Sequence, residues 1–117
     1  MDCVNYQHQE LANGRWKEMP LALQMGNVGS EVSRALKWKG KNKERSMKAV
    51  NRALELLDLS LISACEQKEA GRLREICRGR EVLCDYFYGE NLYHSTPENL
   101  MKYYNQFALM RGKNPIP

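Results

Sequence analysis

Long apolar runs, cysteine pairs at metal or redox spacing, strand-like alternation and histidines on helical faces are all missing from this 117-residue chain. Each absence removes a class of protein. No stretch approaches the roughly 18 consecutive apolar residues that a membrane-spanning helix needs. The start, MDCVNYQHQE, has neither a basic n-region nor an apolar h-region, so a cytoplasmic protein without membrane association is expected. The four cysteines, Cys3, Cys65, Cys77 and Cys84, form no CxxC pair and have no histidine at ligand spacing, which argues against a zinc or redox site. They read as reduced, buried small hydrophobes. Both histidines, His8 and His94, fall outside the helical patterns, and the useful acids reduce to a Glu55–Asp58 pair and an isolated Glu31. Di-metal bundles need Glu and Glu-x-x-His ligands on facing helices, so no metal and no cofactor are expected.

What is present is helical periodicity. The length suits one domain with one core. Leu21, Met25, Val28, Val32 and Ala35 repeat at alternating spacings of four and three after Pro20, predicting a first helix over 20–38. Gly40 suits a left-handed cap and Asn42 an N-cap. Met47, Val50, Leu54, Leu57, Leu61 and Ala64 then predict a second helix over 43–64. Leu73, Ile76, Cys77, Leu83, Cys84 and Phe87 predict a third over 70–88, ended by Gly89. In STPENL, Ser95 or Thr96 can cap, Pro97 falls in the first turn, and Glu98 suits a capping box or the helix dipole. Leu100, Tyr104, Phe107 and Met110 give the fourth helix, over 97–111. Short connections between long helices make neighbours antiparallel. The expected fold is therefore all-α, an up-and-down antiparallel four-helix bundle over 19–112, with a polar arm at 1–18 and a tail at 113–117.

One stripe on the first helix is unusual for its small size: Ala22, Gly26, Gly29 and Ser33. Each glycine costs about 1 kcal/mol of helix propensity relative to alanine, a cost that is tolerable where it lets another backbone approach. The visitor is either an internal helix or the same helix of a second subunit, with Gly79 as a candidate opposing surface.

Several polar groups could carry chemistry. Arg80 occupies a position in the third helix where the spacing calls for leucine. A buried guanidinium without a partner costs several kcal/mol, so a buried or half-buried ion pair with Glu31 or Asp58 is expected, either fixing register or building a site. His94, just before the fourth helix, is the side chain best suited to proton transfer near neutral pH. Arg80, Glu31, Asp58 and His94 are thus the catalytic candidates. The segment KWKGKNKERSMK, residues 37–48, holds six Lys/Arg against one Glu, a local balance of +5 that exceeds the +4 of the whole chain. Lys37, Trp38, Lys39, Lys41, Lys43 and Arg45 are candidate binding residues: cations around an aromatic suit phosphate contact plus stacking, and equally suit an acidic protein or a solvated turn. Tyr86, Tyr88, Tyr93, Tyr103 and Tyr104 cluster in the last third, suiting the end of a bundle or an interface rim.

The blocks GNVGSEVSRALKWKGKNKERSMKAVNRALELLDLSL and REICRGREVLCDYFYGENLYHSTPENLMKYYNQFA resemble an uncharacterised prokaryotic family of small helical-bundle proteins. In size and helix layout the chain is also similar to the HEPN and nucleotidyltransferase-substrate-binding group. That resemblance implies a homodimeric interaction module, partner to a small nucleotidyltransferase-like protein in a toxin–antitoxin-like operon. Active HEPN ribonucleases carry an Arg followed four to six residues later by His on one helix. Here Arg80 is followed by Asp85 and Tyr86, and His94 lies fourteen residues on, which leaves a binding or scaffolding member of the group. The alternatives are an RNA- or nucleotide-directed enzyme and a nucleic-acid binder acting through residues 37–48. An enzyme requires an open cleft where the polar stripes of the first three helices converge.

Overall fold

The computed structural model describes residues 16–113. A short 3-10 turn, Trp16–Glu18, precedes four helices: α1 Leu21–Trp38, α2 Lys43–Glu66, α3 Ala70–Phe87 and α4 Pro97–Lys113. They form an all-α bundle, with α1 packed between α2 and α4, and α2 between α1 and α3.

The helix ends follow local chemistry. Pro20 precedes α1, and its carbonyl accepts from the N–H groups of Leu23 and Gln24. Gly40 takes φ +83° between α1 and α2, a left-handed position where a β-carbon is penalised. Asn42 then caps α2 by accepting from the Arg45 N–H at 3.1 Å. At α4 it is Thr96 that caps, accepting from the Asn99 N–H at 3.0 Å. Glu98 therefore sits in the first turn, favourable to the helix dipole, and not at the third position that a capping box needs.

Met25, Val28 and Val32 of α1, Leu56 and Leu57 of α2, Ile76 and Leu83 of α3, and Tyr104 and Phe107 of α4 form the main core. Ala35, Ala49 and Val50 close the end near the α1–α2 turn. There the Ser46 hydroxyl donates to the Ala35 carbonyl at 2.8 Å, tying the two helices together.

Trp16 belongs to this core, although the sequence reading assigned residues 1–18 to a polar arm. It is 2% exposed, and its indole N–H donates to Ser60 Oγ at 2.8 Å. Gln24 secures the turn by donating from Nε2 to the carbonyl of Trp16 at 2.8 Å and to that of Met19 at 3.2 Å. The packed unit thus includes Trp16. Cys3, His8 and the side chain of Met110 lie outside the described residues.

The small stripe of α1 is met from within at one residue. A β-carbon on Gly29 would stand 2.8 Å from Tyr104 Cβ, so α4 rests against α1 at this residue. Gly26 has nothing within 4 Å of that position, Ala22 is half-buried and Ser33 is exposed. Only Gly29 in the stripe is required by close approach. Gly79 does not face it: a β-carbon there would meet the Tyr103 hydroxyl at 3.2 Å. Two successive tyrosines of α4 therefore rest on two glycines of different helices.

α3 is rolled relative to its expected face. Its buried residues are Ile76, Gly79 and Leu83, displaced toward Gly79 from the Cys77–Arg80–Cys84 line. At the centre of that buried line Gly79 lies under the Tyr103 side chain. Cys77 is exposed and Cys84 half-buried, while Cys65 near the end of α2 is exposed. The expectation of buried thiols fails at all three described cysteines, which are free.

Candidate functional site

The four catalytic candidates do not assemble. Arg80 Nε donates to Asp58 Oδ1 at 2.8 Å, joining α3 to α2, and this hydrogen bond raises the guanidinium pKa further. The side chains are 38% and 45% exposed, so of the two expected forms the pair takes the half-buried one, with Asp58 as the partner. Glu31 is not a partner of Arg80. Its Oε1 accepts from Arg52 Nε at 3.1 Å and from Arg34 Nη1 at 2.9 Å, bracing α1 against α2. His94 is exposed and lies beyond the end of α3, on its α4 side. The groups thus occupy three separate places.

A cleft does open, on the other flank of α3. It has a volume of about 400 Å³ and runs between α3 and α4, lined by Arg78, Gly79, Tyr93, His94, Leu100 and Tyr103 among others. It opens on Arg78, not on Arg80. The Tyr103 hydroxyl donates to Glu75 Oε2, one helical turn before Gly79, and burial and then this bond push its pKa up. Tyr104 lies beside it with its hydroxyl buried and unpartnered, and burial pushes its pKa up as well. The two rings meet edge to face at 4.9 Å.

The segment closing the cleft, residues 88–96, is tightly held. Asp85 accepts from the N–H of Leu92 at 2.8 Å and of Tyr93 at 3.0 Å. Asn91, in the left-handed region at φ 57°, donates to the Ser95 carbonyl at 2.9 Å and accepts from the Ser95 N–H at 2.8 Å. His94 is left-handed too, at φ 54°. The Tyr93 hydroxyl donates to Glu81 at 2.7 Å, which raises its pKa, and Tyr88 donates to Asn51 of α2 at 2.7 Å. α3 ends at Phe87, and Gly89, two residues on, is not in the left-handed region but is required by space: a β-carbon there would stand 3.0 Å from the Asp85 carbonyl oxygen.

This bonded frame holds apolar side chains in solvent. Leu92 is 73% exposed, Tyr88 54% and Tyr93 52%. Asp85, Asn91, Arg78 and Leu92 were missed by the sequence reading. Asn91 next to a helix end is a recognisable turn signal, whereas Leu92 and Arg78 carry no periodic mark.

The basic candidates gather at the α1–α2 turn, where Lys37, Lys39, Lys41, Lys43 and Arg45 are exposed. The Arg45 guanidinium lies 4.7 Å from the Trp38 ring centroid, and the Lys37 ammonium 5.7 Å. Lys39 reaches α3, 5.4 Å above the Tyr86 ring.

Among the described residues no three His, Cys, Asp or Glu side chains converge as metal ligands, and no helix is long and apolar enough to cross a membrane. No family model, curated protein or solved structure matches the chain.

Proposed function

We propose that this chain is a non-enzymatic interaction module that forms a homodimer through the 88–96 loop and the exposed flank of α3. The observation that carries the reading is Leu92, 73% exposed, on backbone fixed by the Asp85 carboxylate. Ordering a loop costs conformational entropy, and full burial of a leucine or aromatic side chain returns roughly 1.5–3 kcal/mol. A loop ordered without that return is shaped for a surface that arrives later.

Charge points to a second copy as that surface. α3 carries Arg74, Glu75, Arg78 and Glu81 at its half-buried to exposed positions. In an isologous contact residue i meets residue j and j meets i, so a face with both signs along an antiparallel helix pair satisfies itself. The resemblance adds a small nucleotidyltransferase-like protein as the partner of the assembled dimer. The enzyme reading, resting on Arg80, Glu31, Asp58 and His94, has no support in their placement at three separate points.

Light scattering coupled to size exclusion tests this. The wild-type chain is expected to run as a dimer at about 100 μM, a concentration suited to micromolar affinity. Leu92→Ser combined with Tyr93→Ser should give a monomer with unchanged helical circular dichroism. A wild-type monomer at that concentration overturns the reading.

A further inference from the structure

We infer that the α1–α2 turn is a binding surface for single-stranded polynucleotide, one that reaches Phe87 at the end of α3 but includes neither Leu92 nor Tyr93. Beyond the cation count, the turn has a shaped recess of about 400 Å³, with Lys39, Lys41 and Lys43 at its rim and Met47 and Phe87 in its lining. An apolar base face can enter such a recess while its phosphates remain among the cations, the combination by which proteins hold single strands without reading sequence.

The charges are available to a ligand. Of the six cations in residues 37–48, Lys48 pairs with Glu44 at 3.6 Å. The other five form no ion pair with a carboxylate among the described residues. Lys37 and Arg45 lie over Trp38 and Lys39 over Tyr86, contacts that orient a cation without neutralising it. The N-terminus of α2 adds its positive dipole end at Lys43. An acidic protein would meet the same charges, but the Met47–Phe87 lining suits a flat apolar base better than a carboxylate. A duplex is disfavoured because the surface is a compact turn, with neither a helix nor a ribbon free to enter a groove.

The test is fluorescence anisotropy on the full chain with labelled twelve-residue oligo(U) and oligo(dT), a duplex of equal length, and a poly-glutamate peptide of equal charge. Three to five phosphate contacts imply a single-strand affinity that falls roughly 20- to 130-fold between 50 and 200 mM salt. Lys39→Ala, Lys41→Ala and Lys43→Ala together should abolish binding, and the corresponding Lys→Arg triple should retain it, with helical content unchanged in both. Trp16 is sealed in the core, so quenching of tryptophan fluorescence on binding reports on Trp38. The ranking of oligo(U) against oligo(dT) identifies RNA or DNA as the source. Equal or tighter binding of the duplex or of poly-glutamate overturns the proposal, as does the absence of oligonucleotide binding at 50 mM salt. Retained binding in the alanine triple also overturns it. Leu92→Ser with Tyr93→Ser should leave oligonucleotide affinity within about twofold, less than 0.5 kcal/mol, so failure of the dimer reading and failure of this one are distinguishable.

Discussion

Tyr104 of α4 occupies the place that a β-carbon on Gly29 of α1 would need, the two positions lying 2.8 Å apart. The obstructing atom is the tyrosine's own Cβ, fixed to the α4 backbone, so no side-chain rotation relieves the contact. Gly29→Ala gains about 1 kcal/mol of helix propensity and pays a steric cost of about 1–3 kcal/mol, for an expected net loss of stability. Gly26→Ala, three residues earlier on the same stripe, meets nothing within 4 Å and should gain about 0.5–1 kcal/mol. Urea midpoints of the two variants should move in opposite directions; equal shifts would remove the close approach of α4 as the reason for Gly29.

The adjacent tyrosines of α4 should respond differently to loss of the hydroxyl. Tyr104→Phe removes a buried, unpartnered group and should cost nothing or stabilise by up to about 1 kcal/mol. Tyr103→Phe strips Glu75 of a donor and should cost about 1–2 kcal/mol. Chemical denaturation of both variants at neutral pH checks the contrast.

Those phenols also set an alkaline limit. Both are held above the usual tyrosine pKa of 10.0 when folded. Above pH 10 the unfolded chain has released protons that the folded chain keeps, so the slope of stability with pH is negative. The contribution is fully present below pH 10 and is lost as pH rises toward the folded values. Melting temperatures between pH 8.5 and 11 should fall, and the Tyr103→Phe, Tyr104→Phe double variant should fall less steeply than the wild type.

Trp16 anchors the first described turn to α2. Trp16→Ala should cost about 3–5 kcal/mol. Ser60→Ala leaves the buried indole N–H without its acceptor and should cost about 1–3 kcal/mol. In a double-mutant cycle the two losses should be less than additive, and full additivity would remove the hydrogen bond as their link.

Asp85 fixes the loop, whereas Arg80–Asp58 is a half-exposed link between α3 and α2. Asp85→Ala should speed amide exchange at Leu92 and Tyr93 and weaken self-association, with α1 and α2 protected as before. Arg80→Leu should change stability by no more than about 1 kcal/mol, as for exposed pairs in general. A loss of 3 kcal/mol or more would restore the buried-pair reading.

The sequence by itself determined the helices and where they stop. Apolar residues three and four apart, Asn42 and either Ser95 or Thr96 as caps, and Gly40 at positive φ act through neighbours along the chain, so their effect is legible without a fold; only the structure chose Thr96. Tertiary structure decided how each helix is turned about its axis and which groups meet. α3 buries Ile76, Gly79 and Leu83, which leaves Arg80 at the rim and Cys77 exposed, while His94 lies beyond the helix in the following loop. Trp16 has no periodic partner to announce it, yet Ser60, forty-four positions away, gives its indole a buried acceptor. Rotation of a helix depends on side-chain volumes contributed by its neighbours, and those volumes meet only once the chain has packed.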